Sequence, residues 1–176
     1  MHNFIYPAKL TPDKEDGGFV VMFRDFPEAI TQGEDMADAL AEAVDCLEET
    51  FANRIASSLP IPSPSKAKKN EHLVFLPAQM SAKAALCLAM NDLNITKAAL
   101  AKRLCCDEKE IRRLLSPRHP SKLPRIEAAL AALGRHLIVG LRFVEKFWRV
   151  GRCFNFGTFV ILFNLASIFS CQNILQ

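Results

Sequence analysis

The run Ile95-Thr-Lys-Ala-Ala-Leu-Ala-Lys-Arg-Leu-Cys-Cys-Asp-Glu-Lys-Glu-Ile-Arg-Arg-Leu-Leu115 reads as two short helices joined by a tight turn. Leu100, Ala101 and Leu104 are apolar at helical spacing, and the Thr96 hydroxyl is placed to cap the first helix. The second helix opens at Asp107, with Glu110 three residues on, where a capping box wants an acid. Ala101 is small where the helices must approach. Cys106, Ile111 and Leu114 are apolar where the second packs back on the first. This is the pattern of a helix-turn-helix. Measured from Ile111, Arg112 lies roughly 100° round the helix and Lys109 and Arg113 lie nearly opposite. The outward face is therefore basic, which suits a helix entering the major groove. The turn position that usually holds Gly is Cys105, at a cost of about 1 kcal/mol. The plainer alternative is an antiparallel helix pair with a solvated basic face. The several spaced matches favour DNA.

Outward from this stretch, charge divides the 176-residue chain. Residues 1–59 carry four Lys/Arg against twelve Asp/Glu, net −8. Residues 60–152 carry eighteen against seven, net +11, and residues 153–176 carry none. An acidic half joined to a basic half implies partners of opposite sign: a phosphate backbone for the second and a cationic protein for the first. The six Cys make no C-x-x-C and none is grouped with His at zinc spacing, so no metal or cofactor is expected. No signal peptide is read at the N-terminus, and reduced thiols in the cytoplasm are the simplest account.

Before the linker, Phe4, Tyr6, Ala8 and Leu10 alternate onto one face of a strand that Pro7 marks as an edge. Thr11 to Gly18 is dense in turn formers, and Phe19 to Phe23 completes a hairpin. Ala29 to Gly33 reads as a third strand. A helix capped by Asp35 follows, with Met36, Leu40, Val44, Leu47, Phe51 and Ile55 as its apolar stripe. Pro60 to Asn70 is a Pro/Lys linker. His72 to Leu76 is placed to return to the sheet as a fourth strand.

Ala78 to Asp92 is helical, with Met80, Ala84, Cys87, Leu88 and Asn91 near one face. After the helix pair, Ser116 to Lys122 is a basic loop. Leu123 to Leu133 makes a last helix ended by Gly134, and His136 to Val139 is a candidate short strand.

These residues resemble the HicB antitoxins of HicA/HicB toxin–antitoxin pairs, in their helix-turn-helix subgroup. The N-terminal likeness rests on Tyr6-Pro-Ala-Lys, Asp16-Gly-Gly-Phe-Val-Val, Phe26-Pro-Glu-Ala-Ile-Thr-Gln-Gly33 and Cys46-Leu-Glu-Glu49. The C-terminal likeness rests on Leu76-Pro-Ala-Gln, Lys97 to Leu104, Ile111 to His119 and Arg125 to Gly134. The resemblance implies an α+β chain: a partial ribonuclease-H-like β-β-β-α-β domain (1–59, with strand 72–76 returning), a linker (60–71), and an all-α helix-turn-helix domain (78–141). It implies that the first domain occludes a small basic HicA-like mRNA-cleaving toxin. It implies that the second dimerises, or forms a higher homo-oligomer, binds operator DNA and represses its own operon.

On the DNA side the expected residues are Thr96, Lys97, Lys102, Lys109, Arg112, Arg113 and Arg118. On the toxin side only the region 1–59 can be named. The rival is a stand-alone transcriptional regulator whose N-terminal domain binds a ligand or its own copy.

The segment 142–176 departs from that pattern. It holds seven of the thirteen Phe, and Cys153 to Gln176 has no charge. A membrane tether is one reading of it; a readthrough or frameshift product, or a tail that packs loosely, are others. Asn155, Asn164, Ser167 and Ser170 dilute the apolar signal, so a membrane is not expected and the tail is expected to be dispensable. No catalytic residue is expected either. Asp13, Glu15 and Asp16 sit in a hairpin loop as turn formers, and His2, His72, His119 and His136 are scattered.

Overall fold

The computed structural model describes residues 3–140. The chain divides into two units at Ile138, and the unit Met1–Ile138 is described here. The tail readings fall outside the described residues. The order is β1 (Ile5–Pro12), β2 (Phe19–Phe23), β3 (Ile30–Gly33), α1 (Met36–Ala56), β4 (Glu71–Phe75), α2 (Ala78–Asp92), α3 (Lys97–Arg103), α4 (Glu108–Leu115) and α5 (Leu123–Ala132). The class is α+β, as expected. No helix among the described residues is long and apolar enough to cross a membrane. His136 to Val139 is not a strand here. It pairs with none of the four strands of the sheet.

The four strands run β3-β2-β1-β4, every pair antiparallel. The returning fourth strand exists, and it changes the position of β1. That strand is central, not the edge that Pro7 suggested. The Phe4 carbonyl accepts from the Leu76 N–H at 3.1 Å. By alternation Tyr6 and Ala8 also face β4, and Pro7 faces the other way. On that side β2 pairs only from Ala8 onward. The missing donor thus falls where the strand is locally an edge.

One face of the sheet packs on α1. Tyr6, Ala8, Val21, Phe23 and Val74 alternate onto it and are buried, with Phe4 and Leu10 partly so. Tyr6, Phe26 and Phe51 form an aromatic triangle with ring centroids 4.8–5.6 Å apart. The buried stripe of α1 is Ala39, Ala43, Leu47, Phe51 and Ala52, rotated from the expected one. Met36 is 40% exposed, and Leu40, Val44 and Ile55 are half-buried. Close approach is the reason. A Cβ on Gly33 would lie 2.3 Å from the Ala39 N, so the first turns of α1 can present only small residues to β3.

The Pro/Lys linker is strapped down. The Tyr6 hydroxyl donates to the Pro62 carbonyl at 2.7 Å, and Asp25 accepts from the Ser65 N–H and hydroxyl. Arg24 donates to Ser65, to the Lys66 carbonyl and to Glu71.

A second core joins α2 to α3, α4 and α5, through Leu86, Leu100, Ile111, Ile126 and Leu130 among others. Helix α2 belongs to both cores. Met80 and Ala84 enter the first, and Ala82, Leu86, Ala89 and Met90 the second. That is why it has no single apolar face, and why Asn91, expected on such a face, is exposed.

Four helix ends share one design. After α1, α2, α3 and α5 a residue with positive φ (Ser58, Asn94, Cys105, Gly134) lets two N–H groups reach back to carbonyls of the last turn. For α3 these are Cys105 N–H to the Lys102 carbonyl at 3.2 Å and Cys106 N–H to the Ala101 carbonyl at 3.0 Å. Helix α4 stops differently, with Ser116 extended before Pro117, as a residue preceding proline should be.

Candidate nucleic-acid interface

Helices α3 and α4 are positioned by their caps and by the core beneath them. The Thr96 hydroxyl accepts from the Ala99 N–H at 3.2 Å, and the Asp107 carboxylate from the Lys109 N–H at 2.9 Å. Both caps are the expected ones. The expected role of Glu110 is not seen: its carboxylate is taken by Arg125 of α5, with N–O distances of 2.6 and 2.7 Å. A charged fork on a neighbouring helix offers a carboxylate a stronger bond than a single backbone N–H. Leu100, Ala101, Ile111, Leu114 and Leu115 are buried beneath the pair.

The candidate DNA residues lie on the outside. Thr96, Lys97, Lys102, Lys109, Arg112, Arg113 and Arg118 are all exposed. Helix α4 brings Lys109, Arg112 and Arg113 onto one short element, and Thr96 and Lys97 stand at the start of α3. Among the described residues Lys109 and Arg113 make no ion pair, whereas Arg112 is held by Glu108 one turn back at 2.7 Å. Arg118 stands apart from this set. It faces Glu49 of α1 at 3.4 Å, across a groove of about 930 Å³ between α1 and the loop after α4.

That loop is fixed by a residue that sequence reading passed over. Lys83 of α2 is fully buried, and its ammonium donates to the carbonyls of Ser116, Pro117 and His119, the second at 3.1 Å. Three donors meet three acceptors, so the charge is held without a counter-ion. Burial pulls its pKa below the usual lysine value. The clue was its spacing, three residues after Met80 and four before Cys87, among apolar neighbours. Cys87 shares this environment, and burial pushes its thiol up to about 11.

On the acidic half, the Asp13 carboxylate accepts from the Glu15 N–H at 3.0 Å and the Asp16 N–H at 3.5 Å, the turn-forming role expected of it. Glu28 is held by Arg54 at 2.7 Å, which lowers its pKa, and the same guanidinium lies 5.0 Å from the Phe26 ring centroid. Among the described residues no group of three or more His, Cys, Asp or Glu is arranged to hold a metal ion.

Comparison with known proteins bears directly on both halves. A family model for HicB-like antitoxins of bacterial toxin–antitoxin systems matches residues 5–85. Antitoxin HicB of Escherichia coli (strain K12) is 37% identical over 132 residues, covering 75% of this chain and 95% of that antitoxin. The chain belongs to the HicB antitoxin family. Antitoxin HicB 2 of Photorhabdus laumondii is 39% identical over 135 residues, 77% of this chain and 94% of its own. Antitoxin HicB of Pseudomonas fluorescens is 28% identical over 138 residues, again 94% of that protein. The HicB family model takes in the whole sheet, α1 and the first turns of α2. The HicB relatives reach further, over a length that must include part of the helical region.

Proposed function

We propose that this chain is the neutralising half of a toxin–antitoxin pair whose partner is a small, basic, HicA-like mRNA-cleaving protein. In this reading α3 and α4 form a helix-turn-helix that binds operator DNA as a dimer or larger homo-oligomer and represses the chain's own operon in the cytoplasm. The N-terminal unit inhibits by covering its partner and supplies no chemistry. The observation that carries the reading is the separation of charge over two cores. The first three strands and α1 come from a stretch of net −8, with only β4 added from beyond it, while the exposed cations of α3 and α4 stand on the other core.

On the DNA side, Lys109, Arg112 and Arg113 are the base-reading candidates. Thr96, Lys97, Lys102 and Arg118 are the phosphate candidates. Arg112 must leave Glu108 to reach a base, which costs at most about 1 kcal/mol for so exposed a pair. Loss of a base-reading arginine weakens operator binding by about 1–3 kcal/mol and relaxes specificity at one base pair. Operator binding by Arg112→Gln and Arg113→Gln, measured against singly substituted operators, tests this. If neither changes specificity, both belong with the phosphate contacts. The antitoxin role is tested by co-expression. A short reading frame for a basic protein beside this gene is toxic alone and harmless with this chain. A chain that gives no rescue is a stand-alone regulator.

A further inference from the structure

The sheet has a second face, pointing away from α1, and it carries an apolar patch bordered by Lys9, Thr11, Gln32 and Glu71. Register places Ile30, Met22 and Lys9 in one cross-strand row, Val20 in the next, and Leu73 and Phe75 beside β1 on the β4 side. On β2, β3 and β4 these positions alternate with those facing α1, so they project outward, while Pro7 of β1 on the same side is buried. Ile30 is 59% exposed, Met22 41% and Leu73 36%, and Val20 and Phe75 are half-buried. Large apolar groups gathered on one open face mark an interaction surface, unlike the same groups scattered singly.

An acidic groove of about 510 Å³ adjoins this face at the hairpin end. Asp13, Asp16, Glu34, Asp38 and Glu42 line it, and Val20 and Gln32 belong both to the groove and to the open face. Its sign selects the occupant. A second copy would bring one stretch of net −8 against another, and a nucleic acid is repelled in the same way. A cationic protein with an apolar centre satisfies both parts.

We propose that the outward face of the sheet, centred on Met22 and Ile30 and edged by the hairpin acids, is the surface on which the basic toxin docks. This rests on the antitoxin reading above and adds the surface to it. The apolar centre supplies the buried contact, and the acids steer the approach and set its salt dependence.

The test uses the full chain and the purified basic protein encoded beside it. Ile30→Lys and Met22→Lys put a like charge on the proposed centre at exposed positions. Each weakens capture by about 100-fold with an unchanged melting temperature, whereas Asn53→Lys on α1 stays within about threefold. Hydroxyl-radical footprinting of the complex shows Met22, Leu73 and Phe75 protected. Full-affinity capture by both lysine variants, with protection confined to α1, overturns the surface and leaves the antitoxin reading standing. No capture by the unaltered chain overturns both.

Discussion

Cys105 holds φ at +49° in the turn between α3 and α4, and its side chain is exposed. An L-residue there costs roughly 1–2 kcal/mol, and glycine gives back roughly 0.5–1 in unfolded-chain entropy. Cys105→Gly is therefore expected to stabilise the protein by about 0.5–1 kcal/mol, read from the urea midpoint at constant m. A destabilised variant would mean that the thiol makes a contact that its exposure conceals. Lys83 is the opposite case, a side chain whose removal leaves groups unpaired. Lys83→Met strips three carbonyls of their donor. Since the loop can partly rehydrate them, the expected loss is about 2–3 kcal/mol in chemical denaturation. A loss under about 0.5 kcal/mol would show that water replaces the ammonium at no cost.

Among the elements, α1 lies close enough to β3 to leave no room for a side chain at Gly33. Gly33→Ala puts a methyl within 2.3 Å of backbone that cannot rotate away. We expect the variant to lose about 1–3 kcal/mol, with α1 pushed off the sheet. A melting temperature within a degree of the parent would contradict this packing. The helix caps were legible in the chain, since Asp35, Thr96 and Asp107 cap the helices assigned to them, but the end of β1 was not: it runs on to Pro12, with Thr11 and Pro12 paired to Val20 and Phe19 where a turn was expected. The rotation of α1 was not legible. Periodicity marks where large apolar residues fall, whereas the buried stripe was set by how near the helix lies to Gly33. Pro7 misled for a related reason. A proline's missing donor matters only where a neighbouring strand asks for it, and where β2 stops is a property of the sheet.

Across the whole molecule, α2 ties the two cores together by giving Met80 to one and Leu86 to the other. The sheet and helices of Met1–Ile138 should consequently unfold in a single transition. Leu86→Ala, in the helical core, should cost about 2–5 kcal/mol and lower the unfolding midpoint of the Tyr6–Phe51 region equally. Two separate transitions, with only the helical one shifted, would show that the cores are independent.

The chain by itself determined the nine elements from β1 to α5, the caps at Asp35, Thr96 and Asp107, the helix pair at Ile95 to Leu115 and the division of charge, but not the strand expected at His136 to Val139. Those it determined are set by local spacing, and spacing is written in the sequence. Tertiary structure alone decided the central position of β1, the double allegiance of α2, the diversion of Glu110 to Arg125, and the burial of Lys83 under three carbonyls. Each depends on a partner 15 or more residues away. No local pattern encodes which distant group a side chain will meet.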